Sequence, residues 1–230
     1  MDVLRKFLPA NYEKLVGVDI SESMVNHASK QYSDERTSFM VQDIAGVLQP
    51  SLRQSFDHAF SIYVFHWVED QQRAFRNVYD MLTPGGDLLF SILIKSYIFE
   101  AYRVLKQNNK WATILADAEK YISPYQDSKN PEEEVQMIME RVGFKNIYVR
   151  CAPKIFVFKN IDYLKKTLKA VCPFAIPMGQ IEHFLEDYLQ VLRDLGYLRK
   201  ASNSPDEKGY VGGISAMTVY ATKSSISYKK

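Results

Sequence analysis

Two aspartates, Asp19 and Asp43, each stand at the end of an apolar run: LVGVDI over residues 15–20 and TSFMVQDI over residues 37–44. Runs of this length and content read as strands covered on both faces. In a doubly wound sheet the ligand sits beyond the carboxyl ends of the strands. A carboxylate placed there can accept hydrogen bonds from both hydroxyls of a ribose, and a second one a strand away can meet the amino group of an adenine. Either acid alone also suits a helix cap or a solvated turn, whereas two on consecutive strands favour a nucleoside. A third run, FDHAFSIYVFHW over residues 56–67, leads into His66 and Trp67. His66 is either an interior histidine bonded to backbone or a polar group at the mouth of a site. Trp67 is either a core side chain or a site wall.

Positioning these residues takes an alternating α/β chain. The spacing predicts a helix over residues 2–8 stopped by Pro9, a buried strand at 15–20, and a helix capped by Ser21 and reaching Tyr32. Strands at 37–44 and 56–67 follow, then an amphipathic helix at 69–82. Thr83-Pro84-Gly85-Gly86 reads as a sharp turn feeding a strand at 87–94. This half implies a parallel sheet covered by helices on both faces. Farther along, helices are predicted at 97–120, 131–142, 160–171 and 179–195, with a strand or bent pair at 146–158. A flexible KASNSPDEKG segment then precedes a last strand at 210–223. The expected division is one domain over 1–230, with a cofactor-binding half at 1–94 and a mainly helical cap at 95–200.

Composition narrows the functions open to such a chain. With 230 residues, 47% hydrophobic and 24% charged, it can bury a sizeable core. A net charge of +2 gives no field that argues for nucleic acid. No apolar run reaches the ~18 residues of a membrane span, and the first residues carry no secretory pattern, so a cytoplasmic protein is expected. Cys151 and Cys172 have neither zinc nor disulfide spacing; they read as reduced thiols, and no metal site is expected. A nicotinamide enzyme is disfavoured because no GxGxxG opens a helix: Gly85-Gly86 precede a strand and Gly212-Gly213 lie inside one.

The order of parts (strand-acid, strand-acid, apolar strand, helix, LTPGG, strand, helices, late strand) resembles the S-adenosylmethionine-dependent methyltransferases of class I. The stretches LVGVDISESMV, TSFMVQDI and FDHAFSIYVFHWVEDQQRAFRNVYDML are common to that class. YISPYQDSKNPEEEVQMIMERVGFKNIYV and PFAIPMGQIEHFLEDYLQVLR are similar to the insect juvenile hormone acid O-methyltransferases more narrowly, and that likeness runs through essentially the whole chain. The resemblance implies a Rossmann-like sheet with helical cap insertions, S-adenosylmethionine as cofactor, and methyl ester formation on a sesquiterpenoid acid such as farnesoic acid. Asp19 would hold the ribose diol with Ile20 against the adenine, Asp43 and Ile44 would hold the far edge, and Ser61 and Tyr63 would line the methionine part. His66 and Trp67 would stand as catalytic groups between cofactor and acid. Phe99, Tyr102, Leu105, Trp111, Leu115, Phe174 and Ile176 would form an apolar lid over the acid, unless they are simply core between cap and sheet. A different apolar acid, or a non-catalytic paralogue that binds an apolar ligand or a partner, stays open. The oligomeric state does not follow from the sequence.

One departure from the family's pattern carries a structural expectation. The family has a central strand and a glycine-rich loop ahead of the segment that holds Asp19, and residues 1–14 contain neither, which reads as an N-terminally incomplete chain. That strand would lie between the strands ending at Asp19 and near Tyr63. Each buried, unsatisfied backbone group costs about 1–3 kcal/mol against a total stability of about 5–15 kcal/mol. The two flanking strands are therefore expected to pair directly, to have their gap filled, or to leave a marginal domain.

Overall fold

In the computed structural model, which describes residues 6–200 and 210–225, Leu15–Asp19 forms β1 and Thr37–Val41 forms β2, paired in parallel from Leu15↔Thr37 to Asp19↔Val41. Helix α1, Glu22–Tyr32, joins them. Ser21 caps it as its type requires, its Oγ accepting from the Met24 N–H at 3.4 Å. A 3₁₀ turn at Pro50–Leu52 leads into β3, Phe56–Ile62. Helix α2, Gln71–Met81, is capped by Asp70, which accepts from the Arg73 N–H at 2.9 Å, and β4 runs from Leu82 to Ser96.

The second half adds α3 (Tyr97–Lys106), α4 (Pro131–Val142), β5 (Phe144–Phe158), α5 (Ile161–Val171), α6 (Ile181–Asp194), β6 (Arg199–Lys200) and β7 (Tyr210–Lys223). Pro131 opens α4, where its missing N–H has no partner to lose, and Gly143 ends it at a φ of +119°. β4 pairs with β3 in parallel and with β7 in antiparallel sense, and β7 pairs antiparallel with β5 and β6. The second sheet thus has the order β3-β4-β7-β5 and is mixed, not all parallel.

Several expectations are corrected. β1–β2 is a sheet of its own, so β1 and β3 neither pair with each other nor share a sheet. The full burial expected of both strands is not found: Ile20 is 69% and Ile62 56% exposed, and Val18 and Phe60 are exposed as well. The cost attached to unmatched edges was a cost of burial. Edges that face water can bond to it, at the price of open apolar surface. The Thr83–Gly86 turn is absorbed into β4, with Gly85 at a φ of +87° and Gly86 so close that an added Cβ would stand 2.8 Å from the Asp57 carbonyl oxygen. The predicted helix 97–120 stops at Lys106, followed by an Asx turn in which Asn108 Oδ1 accepts from the Lys110 N–H at 3.0 Å. A 3₁₀ turn closes that stretch at Ala118–Tyr121. The 146–158 segment is one strand, bulged where Asn146 takes a φ of +49°. Of the helix expected at 2–8, residues 2–5 lie outside the described residues and 6–8 form a turn; most of KASNSPDEKG also lies outside them.

Two cores result. Phe65, Phe75, Leu88, Phe90, Phe144 and Val219 pack between α2, α4 and the mixed sheet. Tyr102, Trp111, Leu164, Leu185 and Tyr188 pack where α3, α5 and α6 meet. The β1–β2 unit hangs on the first body through Val16 and Met40 against Leu48, Leu52 and Met81. Asn77 reinforces that seam: its Nδ2 donates to the carbonyls of Ile44 at 2.7 Å and Gly46 at 2.9 Å. Among the described residues no helix is long and apolar enough to cross a membrane.

Asn77→Ala leaves the Ile44 carbonyl without its donor and the Gly46 carbonyl with only the longer Arg73 Nε bond at 3.4 Å. We expect it to lower stability by about 1–3 kcal/mol, a midpoint drop of several degrees for a chain this size, read by thermal unfolding. Hydrogen exchange gives an independent check: amides of residues 15–19 should exchange well before those of 88–92. Equal protection would mean the two sheets open as one.

Candidate functional site

The two acids lie at one end of the first sheet. The Gln42 N–H donates to the Asp19 carbonyl at 3.0 Å, continuing the β1–β2 ladder, so Asp43 comes one residue past its last rung. Both side chains are exposed. Asp19 Oδ1 accepts from the Ser21 N–H at 2.8 Å and Asp43 Oδ1 from the Ala45 N–H at 2.9 Å. Each carboxylate is therefore fixed through one oxygen by the turn it starts, while its Oδ2 has no hydrogen bond among the described residues. Gly46 lies against Asp43: a Cβ there would come within 3.0 Å of the aspartate's own Cβ. Ile20 stands open beside Asp19, and Ile44 is half-buried beside Asp43.

Ser61 and Tyr63 lie at the corresponding end of the second sheet. Ser61 is half-buried opposite Phe90 of β4, and the Tyr63 N–H donates to the Ser91 carbonyl at 2.8 Å. Tyr63 holds a φ of +56°, an uncommon conformation for a bulky residue and a mark of local strain. No side-chain hydrogen bond joins this pair to the acids of the first sheet among the described residues.

His66 sits in the next turn, the 3₁₀ segment Phe65–Trp67, and is 2% exposed. Burial pushes its pKa down to about 4, so the ring is neutral near neutral pH. Its Nδ1 is buried and has no partner among the described residues. Buried polar atoms are rarely left so, and one at a strand end is a reason to look for a ligand. The ring lies 4.7 Å from Trp67 and 6.0 Å from Phe99, and Trp67 meets Phe99 edge-on at 6.1 Å. These three aromatic groups form one cluster.

The other residues expected to line a lid are placed elsewhere. Tyr102 packs edge-on against Phe174 at 4.9 Å and beside Tyr188 at 5.7 Å, and its hydroxyl pKa is raised chiefly by burial. Trp111 donates through Nε1 to Asp187 at 2.8 Å and meets Phe184 at 5.1 Å. Leu105 and Leu115 are buried in the same core, and Ile176 is half-buried against it. In this structure they join α3 to α6, and only Phe99 reaches the His66 cluster. Apolar residue types look alike on a cavity wall and in a core, so sequence alone could not separate them.

Sequence reading missed the group that holds His66 in place. Gln71 is buried, and its Nε2 donates to the carbonyls of Phe65 at 2.7 Å and Val68 at 2.5 Å, bracketing the His66–Trp67 turn. Its Oε1 accepts from the Tyr125 hydroxyl at 3.4 Å. Tyr125 belongs to the ISPYQD stretch, in which Ser123 Oγ donates to the Leu93 carbonyl at 2.8 Å and Gln126 Oε1 accepts from the Ser96 N–H at 2.9 Å. Asp127 ends the stretch in an ion pair with Arg103 at 2.7 Å. The available signal was a glutamine on the apolar face of α2, in line with Phe75 and Val78.

Residues 3–90, which contain both acids and the His66 turn, match the family described as methyltransferase domain. The chain is 44% identical over 227 residues to juvenile hormone acid O-methyltransferase of Bombyx mori, covering 98% of this chain and 82% of that protein. It is 37% identical over 228 residues to the protein of that name in Drosophila melanogaster, covering 97% and 76%. This chain belongs to the juvenile hormone acid O-methyltransferase family. The fold agrees. A putative methyltransferase from Bacillus halodurans C-125 superposes with a TM-score of 0.57 at 14% identity, covering 92% of this chain and 84% of that one. The family is S-adenosylmethionine-dependent and of class I, with an α/β sheet and helices on both sides.

Two measurements follow from the His66 turn. Gln71→Leu leaves the Val68 carbonyl without its donor, while the Phe65 carbonyl keeps the Val68 N–H, and should cost about 1–3 kcal/mol in denaturant unfolding, with Tyr125→Phe milder at about 1 kcal/mol. The depressed His66 pKa means the unfolded chain takes up a proton first as pH falls. Stability should therefore drop from about pH 6.5 toward pH 4, by about 3 kcal/mol if this group acts alone. A His66→Phe variant should show a flatter profile over that window, and an unchanged slope would contradict the burial argument.

Proposed function

We propose that this chain transfers the methyl group of S-adenosylmethionine to the carboxylate of an apolar acid of the juvenile hormone or farnesoic type, giving its methyl ester. The carrying observation is His66, a neutral, buried imidazole with an unpartnered nitrogen, set between Trp67 and Phe99 at the end of β3. The near full-length likeness to enzymes named for that acid supports the substrate class.

The residues at the first sheet's end suit the adenosine part of the cofactor. Two exposed carboxylates, each with one oxygen unused, match a ribose diol and an adenine amino group, and Ile20 and Ile44 offer apolar contact to the base. Ser61 and Tyr63 would face the methionine part. When bound, the sulfonium supplies an electrophilic methyl group. The acid, with a pKa of about 4–5, is already ionised near neutral pH, so no general base is needed. A neutral His66 can give its N–H to one carboxylate oxygen. That bond orients the acid without transferring a proton, leaving the other oxygen to attack in line. Trp67 and Phe99 flank the acid and exclude water. On this reading residues 1–94 hold the donor and 95–200 the acid within one working unit. The two free thiols, Cys151 and Cys172, fit a cytoplasmic setting.

A second reading draws on the separation of β1 from β3, which leaves the acids and the Ser61–Tyr63 segment on different sheets. Such a chain could hold an apolar acid and bind cofactor poorly. Calorimetry separates the two: the enzyme reading expects S-adenosylmethionine to bind at micromolar Kd, and its absence with farnesoic acid still bound would favour the alternative.

Asp19→Ala and Asp43→Ala should each weaken S-adenosylmethionine binding about ten- to a hundredfold, the loss of a hydrogen bond to a charged group. His66→Ala should leave that Kd within about twofold and lower kcat for ester formation at least tenfold. A panel of labelled acids would set the substrate. If His66→Ala matched the parent enzyme, the orienting role would be wrong.

A further inference from the structure

Past the last β4–β7 pair, Ser96↔Ile214, β5 and β7 continue as a ribbon to Phe158↔Tyr210. β5 is antiparallel to β7 and β7 antiparallel to β4, so this ribbon extends at the same end of the sheet as the carboxyl ends of β3 and β4. That is the end at which Tyr63 and His66 lie. The ribbon carries Ile155 at 72% and Val157 at 67% exposure, with Phe156 also exposed. Helix α5 begins directly after it, fixed by Asn160 Oδ1 accepting from the Tyr163 N–H at 2.8 Å. Leu164 and Leu168 are buried and hold the helix inward, leaving Tyr163, Lys166, Lys169 and Ala170 outward. On the next loop Met178 is 90% exposed.

Charge over this stretch is one-sided. Residues 153–179 hold five lysines and one acid, Asp162, a net +4 in a chain whose total is +2. Lys165 is spoken for by Glu182 at 3.0 Å, while Lys154, Lys159, Lys166 and Lys169 are exposed and make no ion pair among the described residues. Exposed aliphatic and aromatic side chains interleaved with unpaired lysines fit an anionic bilayer surface, where apolar groups enter the headgroup layer and each lysine meets negative charge. A second copy of this chain fits badly, because a two-fold contact would set these lysines against their own images.

We propose that the β5–β7 ribbon and the outer face of α5 form a docking surface for an anionic lipid bilayer. Because it lies at the site's end of the sheet, docking would turn the mouth toward the phase that stores an apolar acid. That last consequence rests on the proposed methyl transfer; the surface itself does not.

The full chain should float with vesicles of phosphatidylcholine mixed with phosphatidylserine, and much less with phosphatidylcholine alone. Raising salt from about 0.1 M to about 1 M, which shortens the screening length from roughly 10 Å to roughly 3 Å, should release it. The double variant Lys166→Glu/Lys169→Glu should lower partitioning at least roughly tenfold. Ile155→Ser/Val157→Ser should lower it without changing the thermal midpoint, and Lys30→Glu in α1 should not. Should the ribbon variant fail to fold, the lysine pair on α5 still decides. Equal binding to both vesicle types, no binding, or full binding by the lysine variant would overturn the proposal. So would concentration-dependent dimerisation abolished by Ile155→Ser/Val157→Ser, which would assign the patch to a second copy. No cofactor or acid is present in the assay, so its failure leaves methyl transfer untouched, and a chain that fails to methylate can still bind vesicles.

Discussion

β4 is the strand from which the candidate site is hung. It is paired along both edges, in parallel with β3 and antiparallel with β7, and its inward side chains are almost wholly buried. Its backbone then supplies the bonds that shape the end where the candidate site lies. The Ser91 carbonyl takes the Tyr63 N–H, the Leu93 carbonyl takes Ser123 Oγ, and the Ser96 N–H is held by Gln126. A strand with both edges satisfied is stiff, and the irregular segments tied to it inherit that stiffness. The His66 turn gains a second tie through Gln71 and Tyr125, so its imidazole is buried by geometry that several elements enforce together.

The first sheet is held differently. Among the described residues β1 pairs along one edge, and its unit meets the rest of the chain through the Leu48–Leu52–Met81 seam, Ile44 and Ala45 against the first core, and bonds from Asn77 and Arg73. The acids that suit an adenosine thus sit on a less constrained body than the imidazole that suits a carboxylate. Exposed apolar residues on β1 and β3, Val18 and Ile20 on one side and Phe60 and Ile62 on the other, are the residues a covered sheet would bury. Ligand binding across the two bodies would have to order them relative to each other, and that ordering is set against the affinity gained.

The ISPYQD stretch explains why part of the family likeness lies far from the acids in sequence. Its serine and glutamine bond β4, at Leu93 and Ser96, its tyrosine bonds Gln71 on α2, and its aspartate bonds Arg103 on α3. It works as a clasp between the cap and the site turn. Residues that touch nothing in the chemistry can in this way decide where the reacting groups stand.

Much was legible in the sequence because it depends on local rules. Ser21 as a cap, the helix over 131–142 opened by Pro131, and the acids following β1 and β2 are set by donors, acceptors and allowed φ over a few residues. Other features needed distant partners. Whether the apolar runs of β1 and β3 are covered depends on what lies beside them, and whether Trp111 lines a cavity depends on Asp187 and Phe184, over seventy residues away. The neutrality of His66 and the reach of Gln71 likewise come from burial that no window of sequence contains. Residue types and spacing determined which groups could bind a nucleoside and a carboxylate. Tertiary structure decided which of them are fixed, buried and brought together, because burial and long-range hydrogen bonds are properties of the packed chain.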